Sequence, residues 1–171
     1  SSSVNGYVFS GLLKVNPKLE LEPDLAESYT VSPDGLTYIF KLKQTIKWHD
    51  GNDFTAHDVK FTYDTILDPN TNTVRRSDYI IDGKPIEFKV LDEYTLQIRM
   101  HKPFAPLLNR LTMGIIPQHI YEVVDINTAK ENQTPIGTGP YKFKQWETSQ
   151  FVLLEANDTY YDEGPKIKKI I

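Results

Sequence analysis

Alternation of polar and apolar residues constrains this chain more than any other feature of its sequence, although Ile39 falls on the mostly polar face of the first such segment. Along 36–43 the apolar residues recur at every second position, at Leu36, Tyr38, Phe40 and Leu42. That period is typical of a strand with one buried face. The sequence Ser-Pro-Asp-Gly at 32–35 has turn chemistry, because proline presets φ and glycine accepts a positive φ. Residues 26–31 are therefore expected to pair back across this turn as a hairpin.

Two further hairpins are predicted by the same pattern. Residues 86–90 and 94–100 alternate on either side of Asp92-Glu93, which we expect to form the tip. Prolines bracket this pair, where they remove no interior hydrogen bond of the ladder. Residues 141–146 and 151–156 form the third predicted hairpin.

One helix is predicted between the first two hairpins. Thr55 is a plausible N-cap, with Asp58 three residues later as in a capping box. Apolar residues then recur at helical spacing, at Val59, Tyr63, Ile66 and Leu67. The dipeptide Asp68-Pro69 should end this helix. Shorter helical segments are expected over 104–111 and after Pro117. The predicted fold class is therefore α+β, with antiparallel hairpins and two or three helices.

Composition excludes several classes of function. The net charge is −4 and no basic stripe exists, so we expect no nucleic-acid binding. The short basic run 166–169 is better explained as the solvent-exposed face of a strand. There are no cysteines, which excludes disulfides, a cysteine zinc site and a cysteine nucleophile. No apolar run is long enough to span a membrane.

The sequence contains no recognisable catalytic or metal-binding motif. The segment 68–72 resembles the start of a calcium loop, but Thr73 and Tyr79 stand where glycine and glutamate are required. An Asx-rich turn is the expected structure there. The four histidines show no spacing typical of a metal site. No nucleophile with a base is evident, so we predict a protein that is not an enzyme and has no cofactor.

Proline and glycine divide the chain. Pro135-Ile-Gly-Thr-Gly-Pro140 is the sharpest break in pattern, and residues 17–23 form a second punctuated stretch. We therefore predict a compact unit over 24–135, with flanks at 1–23 and 136–171 that belong together. Both ends of the chain indicate a piece of a longer protein.

Several segments, taken in order, resemble a known family. They are Phe9-Ser-Gly-Leu-Leu13, Pro23-Asp-Leu-Ala-Glu-Ser28, Asp34-Gly-Leu-Thr-Tyr38, Ile46-Lys-Trp-His-Asp-Gly51, Phe54-Thr-Ala-His-Asp-Val59, Asp68-Pro-Asn-Thr71, Pro135-Ile-Gly-Thr-Gly-Pro-Tyr141 and Asn157-Asp-Thr-Tyr-Tyr161. This order is similar to family 5 of the extracellular solute-binding proteins, the oligopeptide-, dipeptide- and nickel-binding components of ABC importers. The resemblance spans nearly the whole chain.

The resemblance implies a fragment of a type II periplasmic-binding-protein lobe. Residues 1–23 and 136–171 would be parts of the first lobe (domain I), and 24–135 the small extra domain (domain II). Pro23 and the stretch Gly137, Thr138 and Gly139 would then be the two crossings between them. In this family a ligand is trapped between two lobes that close by hinge rotation.

The resemblance also implies ligand and partners. Peptide would be captured outside the membrane, in the periplasm or by a cell-surface lipoprotein, and passed to ABC permease subunits by a monomeric protein. Oligopeptide binders have an aromatic contact after the D-P-N-T segment. Here the nearest position is Arg75, with Tyr79 a few residues on, and we expect these two to be the ligand-binding residues. Nickel-chelate or sugar binding, or a purely structural bracing role, remain as alternatives.

Overall fold

The computed structural model describes residues 2–171. The helices are α1 (Ser2–Val8), α2 (Ala56–Leu67), α3 (Leu107–Arg110) and α4 (Gln118–Tyr121), with 3₁₀ turns at Arg76–Tyr79 and Lys130–Gln133. The strands are β1 (Leu13–Val15), β2 (Leu21–Pro23), β3 (Ala26–Val31), β4 (Thr37–Leu42), β5 (Ile80–Ile81), β6 (Lys84–Pro85), β7 (Glu87–Asp92), β8 (Thr95–Arg99), β9 (Tyr141–Glu147), β10 (Phe151–Ala156) and β11 (Lys169–Ile170). Among the described residues, no helix has the length and apolar character needed to cross a bilayer.

A four-stranded antiparallel sheet of order β3-β4-β8-β7 is the largest sheet of the described residues. The two predicted hairpins that supply it are confirmed: Tyr29 pairs with Phe40, and Phe88 with Ile98. Gly35 has φ of 72°, which completes the turn between β3 and β4. The predicted tip at Asp92-Glu93 lies one residue later, since Asp92 still pairs with Thr95.

Helix α2 covers one face of this sheet, and its predicted start is confirmed. The Thr55 side chain accepts from His57 N, and the Asp58 carboxylate accepts from Thr55 N in a complete capping box. Asp68 ends the helix in extended backbone ahead of Pro69, as predicted. The helix contacts β7, β8 and α4, so its buried face closes the main core.

The predicted helix over 104–111 is shorter than expected. Only Leu107–Arg110 is helical, with Pro106 as its N-cap. Proline at 106 lacks an N–H and restricts the residue before it, so the helix cannot extend towards Phe104. The expected helix after Pro117 is confirmed as α4.

The third predicted hairpin forms a separate three-stranded sheet of order β11-β10-β9. Helix α1 packs against β9, and its residue Val8 is buried with Tyr141 and Leu154 in a small apolar cluster. Helix α1 was not predicted, since seven residues are too few for a helical period to stand out.

Two apolar clusters therefore organise the fold. The larger one is centred on Trp48, Tyr63 and Phe40 and reaches back to Leu12 and Leu13. The predicted α+β class, with antiparallel hairpins and short helices, is confirmed. The predicted flank 1–23 begins at Ser1, which lies outside the described residues.

Candidate ligand-binding cleft

A cleft of about 420 Å³ opens where α1, the first 3₁₀ turn and the segment 109–116 meet. We call it the first cleft. Its polar lining includes Asn5, Arg75, Asp78, Asn109, Arg110 and Thr112, and its apolar lining includes Phe9, Met113 and Ile116. A concave surface with apolar walls and a few polar groups is the usual form of a site for a small ligand.

Two arginines and one aspartate set the charge of the first cleft. The Arg110 guanidinium forms an ion pair with Asp78 Oδ1, whereas Arg75 Nη1 lies 3.8 Å from Asp78 Oδ2. The Arg75 side chain is 60% exposed. Because one carboxylate faces two guanidinium groups, this triplet has a net positive charge. The cleft is therefore suited to an anionic group, which Arg75 is the better placed to bind.

Tyr79, the second predicted contact, lies beneath this triplet and not in the open cleft. Its side chain is 1% exposed, and its hydroxyl donates to Arg110 O at 2.8 Å. The ring packs edge-on against Tyr63 with centroids 5.0 Å apart. Burial raises the pKa of Tyr79 to about 12, so the hydroxyl keeps its proton. Tyr79 thus holds the backbone of Arg110 and offers little surface to a ligand.

The wall formed by 112–115 lies directly against the residues that follow α1. Ile115 N donates to Ser10 O at 2.9 Å. A Cβ at Gly114 would lie 2.7 Å from Phe9 Cβ, and one at Gly11 would lie 2.7 Å from the Thr112 backbone. This close approach sets the floor of the first cleft. This wall was not predicted from sequence, although Gly114 between two short helical segments was a possible signal.

A second cleft of about 410 Å³ adjoins the first. The two clefts share Arg75, Met113, Gly114 and Ile116. The remaining lining comes from the C-terminal half of α2 and the loops near 71–73 and 126–132. The two clefts therefore form one continuous groove, with Arg75 where the first cleft meets the second.

The glycines predicted as a crossing lie against the end of α1. Gly139 N donates to Val8 O at 2.8 Å, and a Cβ at Gly139 would lie 2.5 Å from Tyr7 O. A Cβ at Gly137 would overlap the Val8 carbonyl. Thr138 between them is fully buried. The loop is thus fitted closely to the backbone of α1.

His49 fastens this loop to the larger core. Its backbone N donates to Gly137 O at 2.9 Å, and its ring Nδ1 accepts from Gly137 N at 3.2 Å. Ring Nε2 lies 2.9 Å from Gly139 O, which can only accept. These contacts require a neutral ring with its proton on Nε2. Burial lowers the pKa of His49, which favours the same form.

Pro23, the other predicted crossing residue, ends β2 at the surface and pairs with Leu13. The next residue, Asp24, is buried and accepts a hydrogen bond from the Tyr161 hydroxyl. Burial raises the pKa of both groups. Lys43 Nζ lies 5.1 Å from the centre of the Tyr161 ring. The C-terminal flank is thus attached to the larger core beside this first predicted crossing.

The other sequence candidates have local roles. Asp68 Oδ1 accepts from Asn70 N at 2.9 Å, which is the expected Asx turn. His119 Nε2 pairs with Asp50 Oδ2 at 2.7 Å. Over residues 2–171 the structure brings together no group of three or more His, Cys, Asp or Glu side chains that could hold a metal ion.

Comparison with known proteins agrees with this fold. The profile of bacterial extracellular solute-binding proteins, family 5 Middle, matches residues 20–171. The oligopeptide-binding protein AppA of Bacillus subtilis is 34% identical over 99% of this chain and 32% of its own length. Its structure with a nonapeptide superposes with a TM-score of 0.89, at 33% identity, and the match covers 99% of this chain and 34% of that one. NikZ of Campylobacter jejuni in complex with Ni(L-His) gives a TM-score of 0.89 at 36% identity, over 96% of this chain and 33% of that one.

The chain belongs to family 5 of the bacterial extracellular solute-binding proteins. It spans about a third of the length of the curated relatives that it matches.

Proposed function

We propose that this chain is part of the substrate-binding component of an ABC importer that captures oligopeptides or dipeptides outside the cytoplasmic membrane. Such a protein binds its solute, delivers it to the permease subunits, and catalyses no reaction. The amphipathic first cleft with its net positive charge carries this proposal, in a chain whose relatives include an oligopeptide-binding protein. A periplasmic or lipid-anchored location follows from the same role.

Within this function, Arg75 is the proposed direct contact to the ligand. Its charge is only partly balanced by Asp78, and its side chain is largely exposed. A guanidinium of this kind recognises a carboxylate through paired hydrogen bonds. Tyr79 takes a supporting role, because it positions the Arg110 backbone at the edge of the same cleft.

The division of the chain into two domains is also part of this proposal. Residues 1–23 and 136–171 would contribute to the first lobe, with 24–135 as a bracing extra domain. Separate apolar clusters around Val8 and around Trp48 support two units, with Leu12 and Leu13 of the first flank packed in the larger cluster. The links from His49 to Gly137 and from Asp24 to Tyr161 would then hold the extra domain firmly on the lobe.

A nickel chelate is the second candidate ligand. NikZ, solved with Ni(L-His), matches this chain as well as the peptide-bound AppA does. A histidine chelate also presents carboxylates, so Arg75 would serve either ligand. Calorimetry of the full-length protein with nickel–histidine mixtures and with peptides separates the two, because only one ligand should bind at micromolar concentration.

The test of the main proposal is native mass spectrometry of the full-length protein with a peptide library. We expect retained peptide masses, and no captured peptide at micromolar concentration would contradict the proposal. Arg75→Gln should weaken binding about tenfold or more, through loss of a charge-assisted hydrogen bond. Its melting temperature should stay unchanged because the side chain is exposed. Lys102→Gln, at an exposed lysine outside both clefts, is the matched control.

A further inference from the structure

The second cleft has mainly apolar walls. Its apolar side chains are Ile66, Met113, Ile116 and Ile126, of which Met113 and Ile116 also line the first cleft. Ile66 is nearly buried in the main core, so its part of the wall is fixed by core packing. Apolar walls favour an apolar occupant, because such an occupant leaves water on binding.

The hydroxyl groups on the α2 side of this cleft are already engaged. Thr62 Oγ1 donates to Asp58 O at 2.8 Å and accepts from Ile116 N at 3.0 Å. Thr65 Oγ1 donates to Phe61 O at 2.7 Å. Both hydroxyl protons are therefore used within the protein, and neither threonine has a donor left for a ligand.

Side-chain amides on the opposite side are engaged in the same way. Asn127 Nδ2 donates to Asn70 O at 2.9 Å, and its Oδ1 accepts from Asn72 N at 2.7 Å. Asn132 Nδ2 donates to Ile126 O at 2.8 Å. The Asn127 bonds join the two loops and the Asn132 bond lies within the 126–132 loop, so these amides shape the cleft more than they recognise polar groups inside it.

Charge is confined to the junction of the two clefts. Among the described residues that line the second cleft, Arg75 is the only charged one. A carboxylate bound by Arg75 would therefore stand at the opening, with the group attached to its α-carbon directed along either cleft. With Arg75 occupied by the carboxylate, a charged side chain entering the second cleft would lose hydration and meet no other charged lining residue.

From these observations we infer that the second cleft is a selectivity pocket for the apolar side chain of the ligand residue whose carboxylate binds Arg75. The ligand class is thus a peptide with an apolar C-terminal residue. The volume of about 410 Å³ is ample for a single large side chain. This inference rests on the proposed peptide-binding function and adds to it a preference for one kind of terminal residue.

The test uses the full-length protein and calorimetry with peptides of one sequence that differ only in the last residue. Peptides ending in Leu or Phe should bind about tenfold or more tightly than those ending in Asp or Lys, because only the latter would bury a charge. Amidation of the Leu peptide should reduce its affinity as well. Equal affinities for the four free-acid peptides, within about threefold, would overturn the inference.

Variants of Ile126 make the test specific to this cleft. Its backbone carbonyl, not its side chain, accepts from Asn132, so replacement keeps that bond. Ile126→Asp should abolish the preference for Leu over Lys, and Ile126→Ser, a milder change, should reduce it. Val31→Asp, at an exposed position on edge strand β3, is the matched control and should leave the preference intact. A preference that survives both Ile126 variants would also overturn the inference.

Failure of this inference is distinguishable from failure of the proposed function. If peptides bind regardless of their last side chain, the protein is a peptide binder without this selectivity pocket. If no peptide of the set binds the wild type while the nickel–histidine complex does, both the peptide function and the selectivity pocket are overturned.

Discussion

At the scale of single residues, the size of two glycines matters more than their backbone angles. Neither Gly137 nor Gly139 is among the described glycines with positive φ. Both are instead pressed against carbonyl groups at the end of α1, where a side chain would overlap main-chain atoms. Backbone atoms cannot move aside as a flexible side chain can, so glycine is required here by space.

Gly137→Ala should lower the free energy of unfolding by about 1–3 kcal/mol or more, because overpacking forces the loop away from Val8. Gly164→Ala is the control, since a Cβ there meets nothing within 4 Å. Urea denaturation of both variants measures the difference. Equal midpoints for the two variants would refute the prediction.

Arg75 and Tyr79 show the limit of sequence reasoning at this scale. Both residues were predicted as ligand contacts because they follow the same motif and lie four positions apart. In the structure, one turn of 3₁₀ helix puts their side chains on different sides of the chain. Arg75 is exposed and Tyr79 is buried. Which of two neighbouring residues faces a cleft depends on packing against Tyr63 and Arg110, and these residues are remote in sequence.

At the scale of elements, one carboxylate connects the start of α2 to two other segments. Asp58 accepts from Thr55 N at 3.0 Å, from Trp48 Nε1 at 3.2 Å and from Gln118 N at 2.9 Å. The first bond closes the capping box. The other two attach the helix to the loop before it and to the start of α4.

Asp58→Ala should cost about 3 kcal/mol of stability, because several buried donors lose their acceptor at once. Thr55→Ala removes only the other half of the capping box and should cost about 1 kcal/mol. Chemical denaturation of both variants checks the order. If Thr55→Ala were the more damaging, Asp58 would not be the connecting group described here.

The contact between His49 and the 137–139 loop predicts a dependence on pH. The folded-state pKa of His49 lies below the value of about 6.5 for the unfolded chain. As pH falls below about 6.5, the unfolded chain therefore takes up the proton first. The free energy of unfolding should decrease down to the folded-state pKa, and this stabilising contribution is complete only above about 6.5.

His49→Gln should remove this part of the pH profile, whereas His101→Gln, at an exposed position, should retain it. Denaturation at a series of pH values between 5 and 8 gives the measurement. The His119–Asp50 pair is present in both variants, so it does not distinguish them. A profile that is unchanged in His49→Gln would contradict the assignment.

Much of the secondary structure was predictable from sequence, because short-range residue patterns determine it. Period-2 alternation located β4, β7 and β8, and the capping box located α2. Short elements without a clear period, such as α1, were missed. The 112–115 wall of the first cleft was missed for another reason: it exists through tertiary contact with 9–12, and Gly114 alone does not specify that contact.

At the scale of the whole molecule, the chain spans about a third of its curated relatives. In the proposed function the ligand is enclosed between two lobes, and both clefts described here are open on one side. We therefore predict that residues 1–171 alone do not capture peptide at micromolar concentration. Calorimetry of this chain with peptides that bind the full-length protein tests it, and tight binding would refute it.

The hydrogen bond from Gly139 N to Val8 O joins points that are far apart in sequence. The chain leaves the α1 region and returns to it at the same place. In the proposed domain division, the segment between these points would be an inserted folded unit whose two ends are in contact. If that division holds, a genetic insertion or excision at this point would leave the host structure continuous, and gain or loss of the unit during evolution would need no rearrangement of the remaining lobe.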